Sequence, residues 1–322
     1  MRLVAVRMRS FIRLALFSLL ALPFAAAMAA PMGYSVNSDE PLGDTLHRIN
    51  LADGSATPIG ITVSSLGVTR TDIEGLAIAP DLRLWGVDEE KLHLFQIDTT
   101  SGTVVQETEV AISGLDSATN NDFGLTFGCN GTLFATSVFS QSLYVIDLAG
   151  NASRVGARGS LGVNISAIAS SGSSPVRLYG LGNGLLGDEG PLDNRSLYKI
   201  DVDTGVATAI GEIGPTIANY SQAGLAFDAA GDLWAITDRS QSGRSSEILR
   251  IDINTGAGTV QSATTVIGFE SLAIAPPINC NNSPDDRFAD AQRIPVLDSL
   301  GRLLAILALL FTGLVSLRQR LS

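Results

Sequence analysis

Short apolar segments alternate with turn residues along most of this 322-residue chain. Within a segment, apolar and polar positions alternate with a period of two, and β-branched and aromatic residues are frequent, as is typical of β-strands. Residues 197–205, LYKIDVDTG, show the pattern clearly: a strand runs into an Asp and then into a Thr-Gly turn. Glycine permits the positive φ that such tight turns need. The pattern predicts an all-β protein.

This strand and turn recur roughly every fifty residues, a spacing typical of propeller repeats. The copies end at Asn50, Asp98, Asp147, Asp201 and Asp252. The acidic residue is expected to bond the backbone of its own turn. A second motif recurs in step with the first: an inner apolar strand such as GLAF, then a turn, then a strand such as LWAIT. Four short strands in each repeat predict the blade of a β-propeller.

The two ends of the repeat region complement each other. The first repeat lacks an inner strand, because residues 34–37 already match the second strand, and the last repeat stops after its inner strand at residues 271–275. A ring closed by these two ends leaves no open sheet edge. We therefore expect five four-stranded blades closed by pairing of the N- and C-terminal strands. Six blades are the alternative if the loop-like, glycine-rich insert at residues 180–194 contains strands.

The combined pattern GLAFDxxGxLWAITD…LYKIDxxTG resembles secreted bacterial propellers of unknown function. It is similar in style to the wider YVTN, NHL and strictosidine-synthase-like propellers. The likeness covers residues 34–276 and implies the architecture, but it implies almost nothing about activity.

The first thirty residues have the features of a secretory signal peptide. Basic residues precede an apolar run at residues 14–22, and the small-residue sequence AMA at residues 27–29 matches a cleavage site. We therefore expect a signal helix at 1–30, removed on export, and a propeller domain at 31–277.

The C-terminal residues change in character. Residues 278–293 are polar and are interpreted as a linker. Residues 294–322 begin with Ile-Pro, continue into an apolar segment that predicts a hydrophobic membrane helix, and end in an arginine cluster. This tail resembles the IPTL-CTERM sorting signal, which implies transient membrane retention and processing by a sorting protease. An ordinary membrane anchor is the alternative. The expected location is the cell envelope, membrane-anchored or extracellular after processing.

The net charge limits the classes of molecule that the protein is expected to bind. The net charge is −11, which argues against nucleic acid, since binding to nucleic acid requires neutralisation of phosphates. An acidic surface is compatible with cation binding or with solubility alone. The chain has two cysteines, Cys129 and Cys280. Export would allow them to form a disulfide, and the sequence leaves the paired and unpaired states open.

Alignment of the repeats identifies a candidate metal site. Acidic and amide residues lie just before the inner strands, namely Glu74, Asp122, Asn164 and Glu270. We expect them at the mouth of the central channel, where their oxygens would suit a hard cation such as Ca²⁺. Propeller lactonases of the gluconolactonase type use such a ring, a resemblance of architecture only. A solvated acidic funnel holding ordered waters is the alternative.

The sequence predicts no catalytic residue and no organic cofactor. His47 and His93 lie in or beside strands, and neither a G-x-S-x-G nor an H-E-x-x-H motif is present. The first hypothesis is therefore an exported module that binds a protein, a glycan or a small molecule. The alternatives are a divalent-metal-dependent hydrolase or lactonase acting at the acidic mouth, and a structural protein of the extracellular matrix.

Overall fold

The structure is a computed structural model, and the residues that it describes are 31–37, 44–63, 67, 69–70, 72–108, 111–116, 121–186 and 190–280. The predicted signal peptide and C-terminal tail lie outside these residues, as does most of the predicted linker. Among the described residues, no helix has the length and apolar character needed to cross a bilayer.

The strands within this part of the chain form five antiparallel blades. The first blade contains β1 (Met32–Asn37), β2 (Thr45–Asn50) and β3 (Ala56–Ile61). The second contains β4 (Ile73–Ile78), β5 (Leu84–Asp88), β6 (Leu94–Ile97) and β7 (Val104–Glu107). The third contains β8 (Phe123–Phe127), β9 (Leu133–Ser137), β10 (Ser142–Ile146) and β11 (Ala152–Val155). The fourth begins with β12 (Ile165–Ser171) and β13 (Arg177–Gly182), and after the hairpin of β14 (Gly184–Leu185) and β15 (Leu192–Asn194) it continues with β16 (Ser196–Ile200) and β17 (Ala207–Glu212). The fifth contains β18 (Ala223–Phe227), β19 (Leu233–Thr237), β20 (Glu247–Ile251) and β21 (Gly258–Ala263), with a 3-10 turn at Ser240–Ser242.

The two ends of the propeller complete the first blade together. The Tyr34 amide donates to the Ala273 carbonyl at 2.7 Å, and the Ala273 amide donates back to Tyr34 at 2.9 Å. Asn37 pairs with Phe269 at the other end of the same ladder. Residues 269–273 are therefore the innermost strand of blade 1. The prediction of five blades closed by the two terminal strands is confirmed.

The insert in blade 4 is more regular than the loop expected from its glycines. β14 and β15 pair with each other in a small separate sheet, between β13 and β16 of the blade. They form a hairpin that projects from blade 4 and do not make a further blade. The six-bladed alternative is therefore wrong, because two such short strands cannot supply a four-stranded sheet.

The hydrophobic core lies between neighbouring blades. Trp85 of β5 is 1% exposed and packs with Phe123 and Leu125 of the next blade. Trp234 of blade 5 packs in the same way on Leu272 in the innermost strand of blade 1. In each blade, the strand next to the innermost one carries such an aromatic residue: Tyr34, Trp85, Phe134, Tyr179 and Trp234. The repeated aromatic position is thus explained by packing between blades, where aromatic side chains contribute large apolar areas.

Glycines allow the innermost strands to converge at the centre. A Cβ on Gly75 would lie 2.8 Å from the Leu125 Cβ, and one on Gly224 would lie 2.3 Å from the Leu272 amide nitrogen. The space left near the start of these strands is about 10 Å³, room for about one water. The channel itself is therefore too narrow for an organic ligand, which would have to meet the ring at one of its two ends.

The repeated Asp of the first motif stabilises its turn. The Asp201 carboxylate accepts hydrogen bonds from the amides of Thr204 at 2.9 Å and Asp203 at 3.0 Å. The bond from the Thr204 amide contributes most to lowering the pKa of Asp201. Asp98 and Asp252 bond their turns in the same way. This position is scaffold, as the sequence predicts.

A disulfide joins Cys129 to Cys280, with their Cα atoms 5.4 Å apart. Cys129 lies in the turn between β8 and β9, and Cys280 follows the closing strand. Between that strand and the disulfide, the Ile278 carbonyl accepts a hydrogen bond from the Gly172 amide at 2.8 Å. Residues 278–280, predicted as the start of the linker, are therefore bound to blades 3 and 4.

Candidate cation site at the channel mouth

The end of the ring at which the innermost strands begin is called the mouth here. In β4 the pairing register shifts between Ile73 and Gly75, so that Glu74 is an extra residue in a β-bulge. β12 has the same shift between Ile165 and Ala167, which places Ser166 in the equivalent bulge. Bulges change the direction of a side chain and are frequent next to functional sites.

A third bulge lies in the closing strand. The five residues from Phe269 to Ala273 pair with the four from Asn37 to Tyr34, so one residue is extra. The position that matches Glu74 is Glu270. Blades 3 and 5, by contrast, begin their inner strands in regular register. The bulged residues are therefore Glu74 and Glu270 on adjacent blades and Ser166 on blade 4.

Glu74 is surrounded by other acids at the mouth. Its side chain is buried, with 4% of the residue exposed. Burial raises the pKa of Glu74 well above its usual value, and repulsion from Glu270 and Asp122 raises it further. Asp72 and Glu89 add to this repulsion. The structure thus brings together three of the four residues predicted from sequence, Glu74, Glu270 and Asp122.

Asp72 and Glu89 are site residues that alignment of the repeats within the chain does not identify. Asp72, Glu74 and Glu89 each offer a carboxylate oxygen, and these oxygens lie within 4.8 Å of one another. Burial raises the pKa of Asp72, and hydrogen bonds to the Glu89 and Glu74 carboxyl groups offset part of that rise. In sequence, Asp72 corresponds to Asp122 of blade 3. This match becomes visible only when Glu74 is treated as an extra residue in the alignment of the two blades.

The fourth predicted residue, Asn164, makes its side-chain contacts with Gln141 and with the hairpin of blade 4. Its side-chain carbonyl accepts a hydrogen bond from Gln141 at 2.9 Å, and its amide donates to Asp193 at 2.8 Å. Asp122 is held by Gln222 of the fifth blade, whose amide donates to it at 2.7 Å. In blade 4, Ser166 occupies the position that Glu74 holds in blade 2.

Ser166 supplies a further observation at the mouth. The residue is 3% exposed, and its hydroxyl has no hydrogen-bond partner among the described residues. It lines the same narrow space as Glu74. A buried hydroxyl without a partner costs about 1–3 kcal/mol. A bound ion or water at the mouth would remove that cost.

His47 belongs to the scaffold. Its ring packs edge-on against Phe269, with centroids 5.1 Å apart, and its Nδ1 lies 3.0 Å from the Thr45 carbonyl oxygen. It lies in β2, in agreement with the strand position predicted for it.

The chain has distant structural similarity to known proteins. No protein-family model matches the chain, and no curated protein matches it. A catalytically inactive virginiamycin B lyase from Staphylococcus aureus with quinupristin is 18% identical, with 73% of this chain and 71% of that one covered and a TM-score of 0.38. A protein of unknown function from Bacteroides caccae is 11% identical, with 76% and 98% covered and a TM-score of 0.47. A nidogen/laminin complex is 12% identical, with 76% and 81% covered and a TM-score of 0.44. These similarities are too distant for any function to be transferred.

Proposed function

We propose that this protein is an exported binding module whose propeller binds a divalent cation, Ca²⁺ by its ligand chemistry, at the channel mouth. One observation carries the proposal: β-bulges on adjacent blades bring Glu74 and Glu270 together with three further acids. The charged groups that raise the pKa of Glu74 are all carboxylates. A divalent cation would convert that repulsion into attraction.

The spacing of the oxygens suits calcium. Ca²⁺ takes 6–8 oxygen ligands at about 2.3–2.6 Å, so two oxygens on the same ion lie at most about 5 Å apart. The 4.8 Å limit that encloses the oxygens of Asp72, Glu74 and Glu89 meets this condition. The Ser166 hydroxyl is an oxygen ligand of the same hard type. Because the channel below is so narrow, the cation would lie at the mouth, where a ligand can reach it.

A metal-dependent hydrolase is the second candidate. It is favoured by the number of acids at the mouth, because a carboxyl group there that does not bind the cation would be able to exchange a proton with a substrate. Such a group can act as a general acid, and the cation would polarise a carbonyl. Hydrolysis of simple lactones by the Ca²⁺-loaded protein, lost in Glu74→Gln, would favour this candidate. If the loaded protein leaves lactones intact, binding remains the better account.

Export is the other part of the proposal. It is supported by the signal-like residues 1–30, by the tail at 294–322 and by a disulfide of the kind that persists in oxidising compartments. We place the protein in the cell envelope, retained by the membrane helix predicted at its C-terminal end until a sorting protease acts. Mass spectrometry of the protein from its native host tests this. Loss of residues 1–30 and of the terminal arginines is expected, and an intact C-terminus would contradict processing.

Calcium dependence of stability tests the cation site directly. At 100 times its dissociation constant, a bound cation stabilises the folded protein by about 2.7 kcal/mol. We expect Ca²⁺ to raise the melting temperature and EDTA to reverse the shift, with Glu74→Gln and Glu270→Gln both abolishing it. Asp203→Asn, which alters an exposed acid in a turn at the opposite end of the ring, is the matched control. If the wild type shows no shift, the site does not bind calcium.

A further inference from the structure

The hairpin of blade 4 creates a second cleft on the mouth side of the ring. Because β13 runs back toward the mouth, its connection to β16 emerges on that side. The hairpin therefore lies beside the loop that connects β11 to β12. Between them lies a space of about 340 Å³. This volume falls at the lower end of the range for small-molecule sites, about 300–1,000 Å³.

The hairpin is firmly anchored, so the cleft is preformed. Gly184 has a φ of +79°, and a Cβ there would lie 2.1 Å from the Tyr220 carbonyl oxygen. The buried Tyr220 hydroxyl donates to the Gly182 carbonyl at 3.0 Å, and the Leu185 amide donates to the Tyr220 carbonyl at 2.8 Å. On the other side, the Asn194 amide donates to the Asn164 backbone carbonyl at 3.0 Å. A rigid wall of this kind lowers the entropic cost of binding.

A chain of planar polar groups lines one side of the cleft. Gln141 donates to Asn164 at 2.9 Å, and Asn164 donates to Asp193 at 2.8 Å. These bonds fix the orientation of all three side chains. They use one acceptor of Asn164 and one of Asp193. Among the described residues, the Gln141 carbonyl and the second Asp193 oxygen can therefore still accept hydrogen bonds from a ligand.

Apolar and charged residues complete the lining. Val163 and Leu192 border the cleft, and Leu192 is 52% exposed. The charged groups are Asp193, Glu212 and Arg195, which leave one excess negative charge. An anionic ligand is therefore disfavoured, and a neutral ligand with several hydroxyl groups and an apolar face fits better.

We propose that this cleft binds a neutral saccharide. The fixed row of amide and carboxylate groups would exchange hydrogen bonds with neighbouring sugar hydroxyls, and the apolar face of the ring would lie on Leu192 and Val163. The hairpin belongs to one blade alone, so this site is not a by-product of the repeat. It shares no residue with the cation site proposed at the mouth, and it does not depend on that proposal.

Calorimetric titration of the full-length protein with chitotriose, cellotriose, mannotriose and lactose tests the proposal. At least one should bind with a dissociation constant of about 0.1–1 mM. Asp193→Ala should weaken that binding about tenfold without lowering the melting temperature, because Asp193 is exposed. Asn164→Ala should weaken it further, while the exposed control Asp203→Ala should leave it unchanged.

Two results would overturn the assignment. One is the absence of binding by all four saccharides up to about 10 mM. The other is saccharide binding that EDTA abolishes and that Asp193→Ala and Asn164→Ala leave intact, which would move the ligand to the cation site. Binding that survives EDTA and falls in both variants supports the cleft, whether or not calcium binds at the mouth.

Discussion

Removal of the Cys129–Cys280 disulfide should destabilise the propeller strongly. The two cysteines are 151 residues apart, so the crosslink closes a very long loop in the unfolded chain. The chain-entropy relation gives about 5 kcal/mol for a loop of this size, and measured disulfide contributions reach about that value at most. For a domain of this size each kcal/mol shifts the melting temperature by roughly 2–4 °C. We therefore expect the melting temperature to fall by about 10–20 °C.

The position of the disulfide adds a structural reason. The ring is closed at blade 1 by the non-covalent pairing of residues 269–273 with β1. Cys280 follows that closing strand and binds it through the disulfide to Cys129 of blade 3. Release of the crosslink therefore frees the end of the strand on which closure depends, and unfolding should begin there.

The double variant Cys129→Ser/Cys280→Ser, compared with wild type by circular dichroism melting, measures the effect. Wild type treated with a thiol reductant should melt at the same temperature as the double variant, which separates loss of the bond from loss of the sulfur atoms. If oxidised wild type, reduced wild type and the double variant melt within about 2 °C of one another, the disulfide does not restrict the unfolded chain as the entropy relation requires.

Four further outcomes are expected. Without added cation, the urea midpoint of unfolding should fall as the pH rises above 4.5. The reason is that the raised pKa of Glu74 lets the folded state hold a proton that the unfolded state releases. Glu74→Gln should therefore reduce the dependence of the urea midpoint on pH. For the same reason Ca²⁺ binding should release protons, so calorimetry should show a higher affinity at pH 7.5 than at pH 5.5. Deletion of Glu74 should leave a folded propeller that no longer responds to Ca²⁺, because blades 3 and 5 begin without a bulge; a circular dichroism spectrum of an unfolded chain would contradict this. Gly75→Ala should lower the free energy of unfolding by about 1–3 kcal/mol, because the new Cβ would lie 2.8 Å from the Leu125 Cβ, and urea denaturation measures this.

The blade architecture could be predicted from the sequence because propeller repeats are local units. Each strand-turn motif depends on short-range chemistry, such as the Asp201 carboxylate on its own turn or the glycine after it. The closure could be predicted as well. The first repeat lacks an inner strand, and the last repeat consists of an inner strand without the three strands that would complete its blade. These features depend on spacing, which the chain shows directly.

The candidate site was harder to predict, because a bulge shifts the register without changing the motif. Alignment by the inner strands alone matches Glu74 to Ile165, whereas the pairing registers show that Ser166 holds the equivalent position in blade 4. The same shift hid Asp72 as the counterpart of Asp122. Glu89 lies beyond the next strand, and only the folded blade brings it to the mouth. A single sequence records neither the bulge nor this meeting of strand ends.

The departures from the repeat coincide with the two proposed binding sites. A regular blade offers only packed strands and capped turns, and neither brings several carboxylates together. The bulges at Glu74, Ser166 and Glu270, and the hairpin of blade 4, interrupt this regularity, and all of them lie on the mouth side of the ring. The opposite side carries the disulfide and the repeated Asp turns. Because an interruption of a stable repeat lowers stability unless something offsets it, the clustering of these interruptions on one side is better explained by ligand binding than by folding.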